Sequence, residues 1–102
     1  MGDDFLTTYT PESKGSFSLS PDGFLHAMEK NFRDRKVVDE LREGKRSIRY
    51  VISDMPVLVE DVNGRQTVTI KRSLEADLRE EAKTEIENMT GYNLIKPEKE
   101  SK

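Results

Sequence analysis

The chain has 102 residues, of which 33% are hydrophobic and 36% charged, and its formal net charge is −3. This length suits a single domain, and so small a net charge does not oppose collapse through self-repulsion. The absence of cysteine excludes disulfides, thiolate metal sites and thiol catalysis. No apolar run reaches the ~20 residues that a membrane span needs, and the acidic start lacks the basic and apolar regions of a signal peptide. We therefore expect a cytoplasmic protein without membrane contact.

The two ends of the chain differ in composition from its centre. Residues 1–15 are polar and rich in turn formers, and we expect them to form a flexible N-terminal arm. Two apolar residues then alternate with serines, a pattern that favours a short edge strand over 16–19. One α+β domain is expected over 16–95. The charged tail, 96–102, is expected to be disordered.

A helix start is indicated by Ser20, Pro21 and Asp22, because serine caps free amides, proline suits the first helical position and an acid complements the helix dipole. Apolar residues follow on one face of that helix, namely Phe24, Leu25, Met28 and Phe32. A second helical pattern ends at Gly44, a natural left-handed terminator. Its apolar residues are Val37, Val38 and Leu41. Whether 21–43 forms one helix or two stays open.

The centre of the chain has the pattern of three strands. Apolar residues at 48, 50 and 52 alternate with 49, 51 and 53, which is the period of a half-buried strand. The segment Asp54 to Pro56 predicts a turn, and 57–62 is a second β-branched run. Asn63-Gly64 is a strong short-range hairpin signal, after which 67–70 returns as the third strand.

The last helix is expected to begin at a Ser73 cap and to end at Gly91. Its apolar stripe has spacings of four, four, four and three and consists of Leu74, Leu78, Ala82, Ile86 and Met89. The predicted element order is therefore (β)-α-β-β-β-α. A two-layer α+β fold, with a three- or four-stranded antiparallel sheet and helices on one face, accommodates this order.

The α-β-β-β-α order over roughly Phe24 to Met89 resembles the topology of double-stranded-RNA-binding domains. That family contacts phosphates through lysines at the start of its last helix, whereas residues 73–77 here contain two acids and no lysine, so the binding function does not transfer. Residues 67–71, running into a helix, are similar to the strand and first helix of ribbon-helix-helix repressors, whose second helix is missing here. Both resemblances concern topology alone.

Catalytic and metal-binding patterns are lacking in the sequence. His26 is the single histidine, and it lies between two apolar helix residues without a partner that the sequence reveals. The carboxylates of the last helix are typical of a solvated helix face with i,i+4 ion pairs. No calcium-binding loop and no phosphate-cradling glycine loop is present. We expect no enzyme activity, no cofactor and no metal.

Charge is unevenly distributed along the chain. Residues 30–49 contain eight basic and four acidic side chains, whereas 73–95 contains two basic and six acidic ones. Such segregation steers charged partners. The candidate partner-binding residues of the basic segment are Arg35, Lys36, Arg42, Lys45, Arg46, Arg49 and Tyr50.

Two functions follow from these patterns. The first is a small binding or regulatory protein that acts through protein–protein contacts, for which an accessory protein of bacterial or phage type would fit. The alternative is a nucleic-acid-binding module that uses 30–49, with Tyr50 as a stacking ring. The sequence pI of about 5.2 disfavours the second, because nucleic-acid-binding domains usually exceed about 9. A homodimer is expected if 57–62 forms an unpaired sheet edge.

Overall fold

The computed structural model describes residues 6–13, 22–72 and 75–96. In chain order its elements are β1 (Leu6–Ser13), α1 (Asp22–Phe32), β2 (Lys36–Arg42), β3 (Lys45–Ile52), β4 (Met55–Val62), β5 (Arg65–Lys71), α2 (Arg79–Thr90) and β6 (Tyr92–Ile95). The strands form one antiparallel sheet in the order β2-β3-β4-β5-β1-β6. The expected α+β class is confirmed, whereas the expected count of three or four strands is too low.

Three two-residue turns, spaced ten residues apart, connect β2 to β5 as a meander. Both central residues of each turn have positive φ, with 51° and 84° at Glu43-Gly44, 53° and 63° at Ser53-Asp54, and 55° and 84° at Asn63-Gly64. Positive φ at both positions matches the twist of the flanking strands, and glycine adopts it without a steric cost. The hairpin at Asn63-Gly64 is as predicted. The turn expected at Asp54 to Pro56 lies one residue earlier, and Pro56 belongs to β4.

The hydrophobic core lies between one face of the sheet and the two helices. Two rows of directly opposed residues cross β3, β4 and β5, namely Ile48–Val59–Val68 and Tyr50–Val57–Ile70. The helices cover these rows with Phe24, Met28 and Phe32 from α1 and with Ala82 and Ile86 from α2. Burying a large apolar side chain contributes roughly 1.5–3 kcal/mol to the free energy of folding, so this layer supplies most of the favourable free energy. The two-layer arrangement is as expected.

The N-terminal strand β1 occupies the interior of the sheet. Leu6 to Tyr9 pairs with β5, after which the strand leaves β5 and pairs with β6 from Thr10 onward. Pro11 has no N–H to donate, which suits the point where one ladder ends and the next begins. Tyr9 is 3% exposed in the core. The flexible arm expected over 1–15 therefore contains a strand. The strand expected at 16–19 and the tail beyond residue 96 lie outside the described residues.

The second helix expected near 37–43 is wrong, because this segment is strand β2. A 3₁₀ turn, Arg33–Arg35, ends α1, and the Glu43-Gly44 turn folds β3 back against residues 36–42. Pairing with β3 therefore overrides a weak helical pattern, and adjacent β-branched valines favour it. The last helix begins at Arg79 instead of near Ser73, while Gly91 ends it at a φ of 81° as predicted.

The edges of the sheet are β2 and β6, and 57–62 lies inside it, paired on both sides. A homodimer was expected only if 57–62 formed an unpaired sheet edge, and this segment is not an edge. A bulge interrupts β2 after Lys36, and charged Lys36 and Asp39 lie on its helix side. At β6, the N–H of Leu94 donates to the Glu87 carboxylate at 2.8 Å. Bulges, inward charges and occupied amides all oppose pairing with a further strand.

Candidate protein-binding surface

The sheet face opposite the helices is uncovered among the described residues. On it, directly opposed residues form a row across β2, β3, β4, β5 and β1, consisting of Val38, Arg49, Leu58, Thr69 and Thr8. Val51 and Pro56 are opposed in the next row, toward the Ser53-Asp54 turn. We call Val37, Val38, Arg49, Val51, Pro56 and Leu58 the open-face patch. Its aliphatic side chains are accessible, since Val37, Val38 and Val51 are 61%, 38% and 44% exposed.

Arg49 lies at the centre of the open-face patch, between Val38 and Leu58. Its side chain is exposed, and it forms no ion pair with the described part of the chain. By contrast, Lys45 on the same face is neutralised by Glu60 at 3.0 Å. An unpaired guanidinium within an aliphatic surface is typical of the central residues of protein interfaces, where arginine is enriched.

The opposite half of the same face, near the glycine-containing turns, has a different character. It is mostly charged and contains Glu40, Arg42, Lys45, Glu60 and Arg65, with Val62 as an isolated aliphatic residue. The open face is therefore divided lengthwise into an aliphatic half and a charged half of mixed sign. An isolated exposed valine among charges is ordinary surface, whereas a contiguous aliphatic cluster is not.

The structure does not bring the seven predicted partner-binding residues together. Arg42, Lys45 and Arg49 lie on the open face, while Lys36 and Arg46 lie on the helix side of the sheet. Arg35 follows α1 and approaches Glu85 of α2 at 3.8 Å. Tyr50 is only 1% exposed, so the ring that was expected to stack on a base is inside the core. Seven residues close in sequence thus occupy four environments.

Lys36 and Arg46 belong to a chain of ion pairs that connects α1 to the edge strand β2. Lys36 contacts Glu29 at 2.9 Å and Asp39 at 3.3 Å, and Arg46 contacts Asp39 at 2.8 Å. The hydrogen bond from Arg46 lowers the pKa of Asp39, and the hydrogen bond to Glu29 raises the pKa of Lys36. Every cation here has its carboxylate, so this cluster fixes β2 and offers little uncompensated charge to a partner.

Catalytic and metal-binding groups do not converge in the described residues. His26 is exposed on α1, beside a shallow depression lined by charged side chains and Asn31. Ser53 donates a hydrogen bond to Glu85 at 2.8 Å, with no histidine near to act as a base. No group of three His, Asp or Glu in this part of the chain could hold a metal ion. With 11 and 12 residues, α1 and α2 are too short to cross a bilayer.

Sequence reasoning missed the aliphatic members of the open-face patch. The signal was present, because strand alternation places Val51 and Leu58 opposite to the buried residues of their strands. An aliphatic residue at an outward strand position indicates either a covered face or a binding surface. The distribution of charge along the sequence favours the basic segment 30–49 instead.

Comparisons with known proteins found no match for this chain, neither among protein-family models, nor among curated proteins, nor among solved structures.

Proposed function

We propose that this chain is a small binding or regulatory protein that acts through protein–protein contacts, with the open-face patch as its docking surface. The observation that carries the proposal is the exposed aliphatic cluster around the unpaired Arg49. Clusters of this kind on an otherwise charged surface mark interaction sites. We also propose that it is a cytoplasmic accessory protein of bacterial or phage type.

The distribution of aromatic rings favours a protein partner over a nucleic acid. Single-stranded nucleic acids bind protein surfaces through aromatic stacking combined with basic side chains. In the described residues the aromatic side chains are all buried, with exposures between 1% and 6%, namely Tyr9, Phe24, Phe32, Tyr50 and Tyr92. No ring is therefore presented beside the cations of the open face within this part of the chain. The basic segment 30–49 also has much of its charge neutralised by internal ion pairs.

The proposal is tested by capturing partners from a lysate of the source cells with tagged protein, in parallel with two valine variants. Val51→Asp places a charge in the open-face patch, whereas Val62→Asp places the same charge in the charged half of the same face. Val51 and Val62 are 44% and 43% exposed and both lie at strand ends, so the two changes are matched in burial and strand propensity. Circular dichroism and thermal midpoints establish that both variants fold.

We expect a protein partner that survives nuclease treatment, is retained by Val62→Asp and is lost with Val51→Asp. Equal retention by the two variants would contradict the placement of the surface. A captured species that disappears on nuclease treatment and at high salt would instead promote the nucleic-acid alternative, because phosphate contacts weaken steeply with salt.

A further inference from the structure

We infer that the open-face patch binds an acidic aliphatic segment of another protein, that is, a short stretch in which Asp or Glu neighbours aliphatic residues. The inference rests on the proposed function, because it names the partner chemistry of the same surface. It draws on two further features, which are the sign of the charges in this half of the face and the area that the half offers.

Within the described ranges, the charged side chains in the aliphatic half of the open face are all cations. Besides Arg49, this half contains Lys71, which lies opposite Leu6 on the neighbouring strand β1. Both cations are exposed, and neither forms an ion pair within the described residues. At the rim, Asp34 and Asp54 are accompanied by Arg35 and Lys36 around the depression that also contains Val37 and Val51. A complementary partner therefore carries carboxylates.

The area of the patch favours a segment over a second copy of this chain. Three strands about 4.8 Å apart and two side-chain rows about 7 Å apart give a footprint of roughly 200 Å². A stable interface between globular proteins needs about 800 Å² from each partner. A face-to-face pair of copies would also bring Arg49 and Lys71 of one molecule near the same cations of the other. Like-charge contacts of this kind oppose association.

The test is a selection of random displayed peptides on the immobilised full chain, with Arg49→Glu and Arg65→Glu as parallel targets. Arg65 is a matched control because it is also an exposed strand arginine on the open face, but in the charged half. We expect enriched peptides in which Asp or Glu lies next to Leu, Ile, Val or Met. Synthetic versions should lose at least about tenfold in affinity on Arg49→Glu, retain most of it on Arg49→Lys and be unaffected by Arg65→Glu.

Three outcomes would overturn the inference. These are enrichment without acidic residues, equal enrichment on the Arg49→Glu target, and the absence of any enrichment over an empty matrix. Sedimentation of the unliganded protein tests whether a second copy of this chain binds the patch instead. Self-association that is abolished by Arg49→Glu would assign the patch to a second copy and would also contradict the inference. If lysate capture depends on Val51 while the selected peptides are not acidic, the proposed function stands and only the partner chemistry fails.

Discussion

Replacing Tyr50 with phenylalanine removes one buried oxygen atom and leaves the ring in place. The ring is 1% exposed and packs edge-on against Phe32 at 6.4 Å between centroids. Its hydroxyl is buried without a hydrogen-bond partner in the described structure, and burial raises the pKa of Tyr50 to about 12. An unsatisfied buried hydroxyl costs about 1–3 kcal/mol, and the void left by one atom costs below about 1 kcal/mol. We expect Tyr50→Phe to stabilise the protein by about 1 kcal/mol.

Urea denaturation followed by circular dichroism measures this change in the free energy of unfolding. A stabilisation of about 1 kcal/mol corresponds to a rise of roughly 4–8 °C in the midpoint of thermal unfolding for a domain of this size. Tyr9→Phe is the control, because Tyr9 is also a core tyrosine but its hydroxyl is not buried without a partner. A loss of 1 kcal/mol or more in Tyr50→Phe would show that the hydroxyl makes a favourable hydrogen bond and would refute the reasoning.

Three further outcomes are expected from the structure. The pKa of Tyr50, about 12, lies above its unfolded value of 10.0, so the unfolded chain releases the phenol proton first and the free energy of unfolding falls as the pH rises from 10 toward 12. Unfolding measured across this range should show a smaller loss in Tyr50→Phe than in the wild type, because burial raises the pKa of Tyr9 and of Tyr92 as well and these two tyrosines remain in the variant. Asp54→Gly should stabilise the protein by about 0.5 kcal/mol because it relieves a φ of 63°, whereas Gly64→Ala, at a φ of 84°, should destabilise it by about 1–2 kcal/mol; chemical denaturation of both variants checks this pair. The hydrogen bond from Arg79 lowers the pKa of Asp77 to about 2, below its unfolded value of 3.8. The stabilising contribution of this contact at the start of α2 is therefore complete above pH 3.8 and is lost as the pH falls toward 2. NMR titration of the Asp77 carboxyl group should find its midpoint near pH 2.

The parts of the fold that depend on local chemistry could be predicted from the sequence. Strand alternation at 48–52, the Asn63-Gly64 turn and the Gly91 terminus each depend on a few adjacent residues, and the structure contains all three. Strand β2 was missed because its side chains are almost all exposed and carry no alternation of burial. Its strand conformation comes from pairing with β3, a contact that no local pattern shows.

The candidate site was harder to predict than the fold. Lys36 and Arg49 look alike in sequence, yet one is neutralised by Glu29 and Asp39 while the other is unpaired on the open face. The difference depends on which face of the sheet each residue occupies, and the bulge in β2 shifts that assignment by one residue. Tyr50 points into the core because alternate residues of a strand face opposite sides of the sheet. The sequence shows this alternation over 48–52, and it argues against a stacking role for Tyr50.

The interior position of β1 determines when the molecule can be completed during synthesis. Tyr9 pairs with Val68 and Thr10 pairs with Ile95, so β1 must wait for partners that are synthesised 59 and 85 residues later. The β2–β5 meander, with its short connections, can form earlier. At about 5–20 residues per second, the interval between these strands lasts several seconds. A nascent chain that stalls before β5 therefore holds an unplaced strand carrying a core tyrosine, a species that chaperones and proteases are expected to recognise.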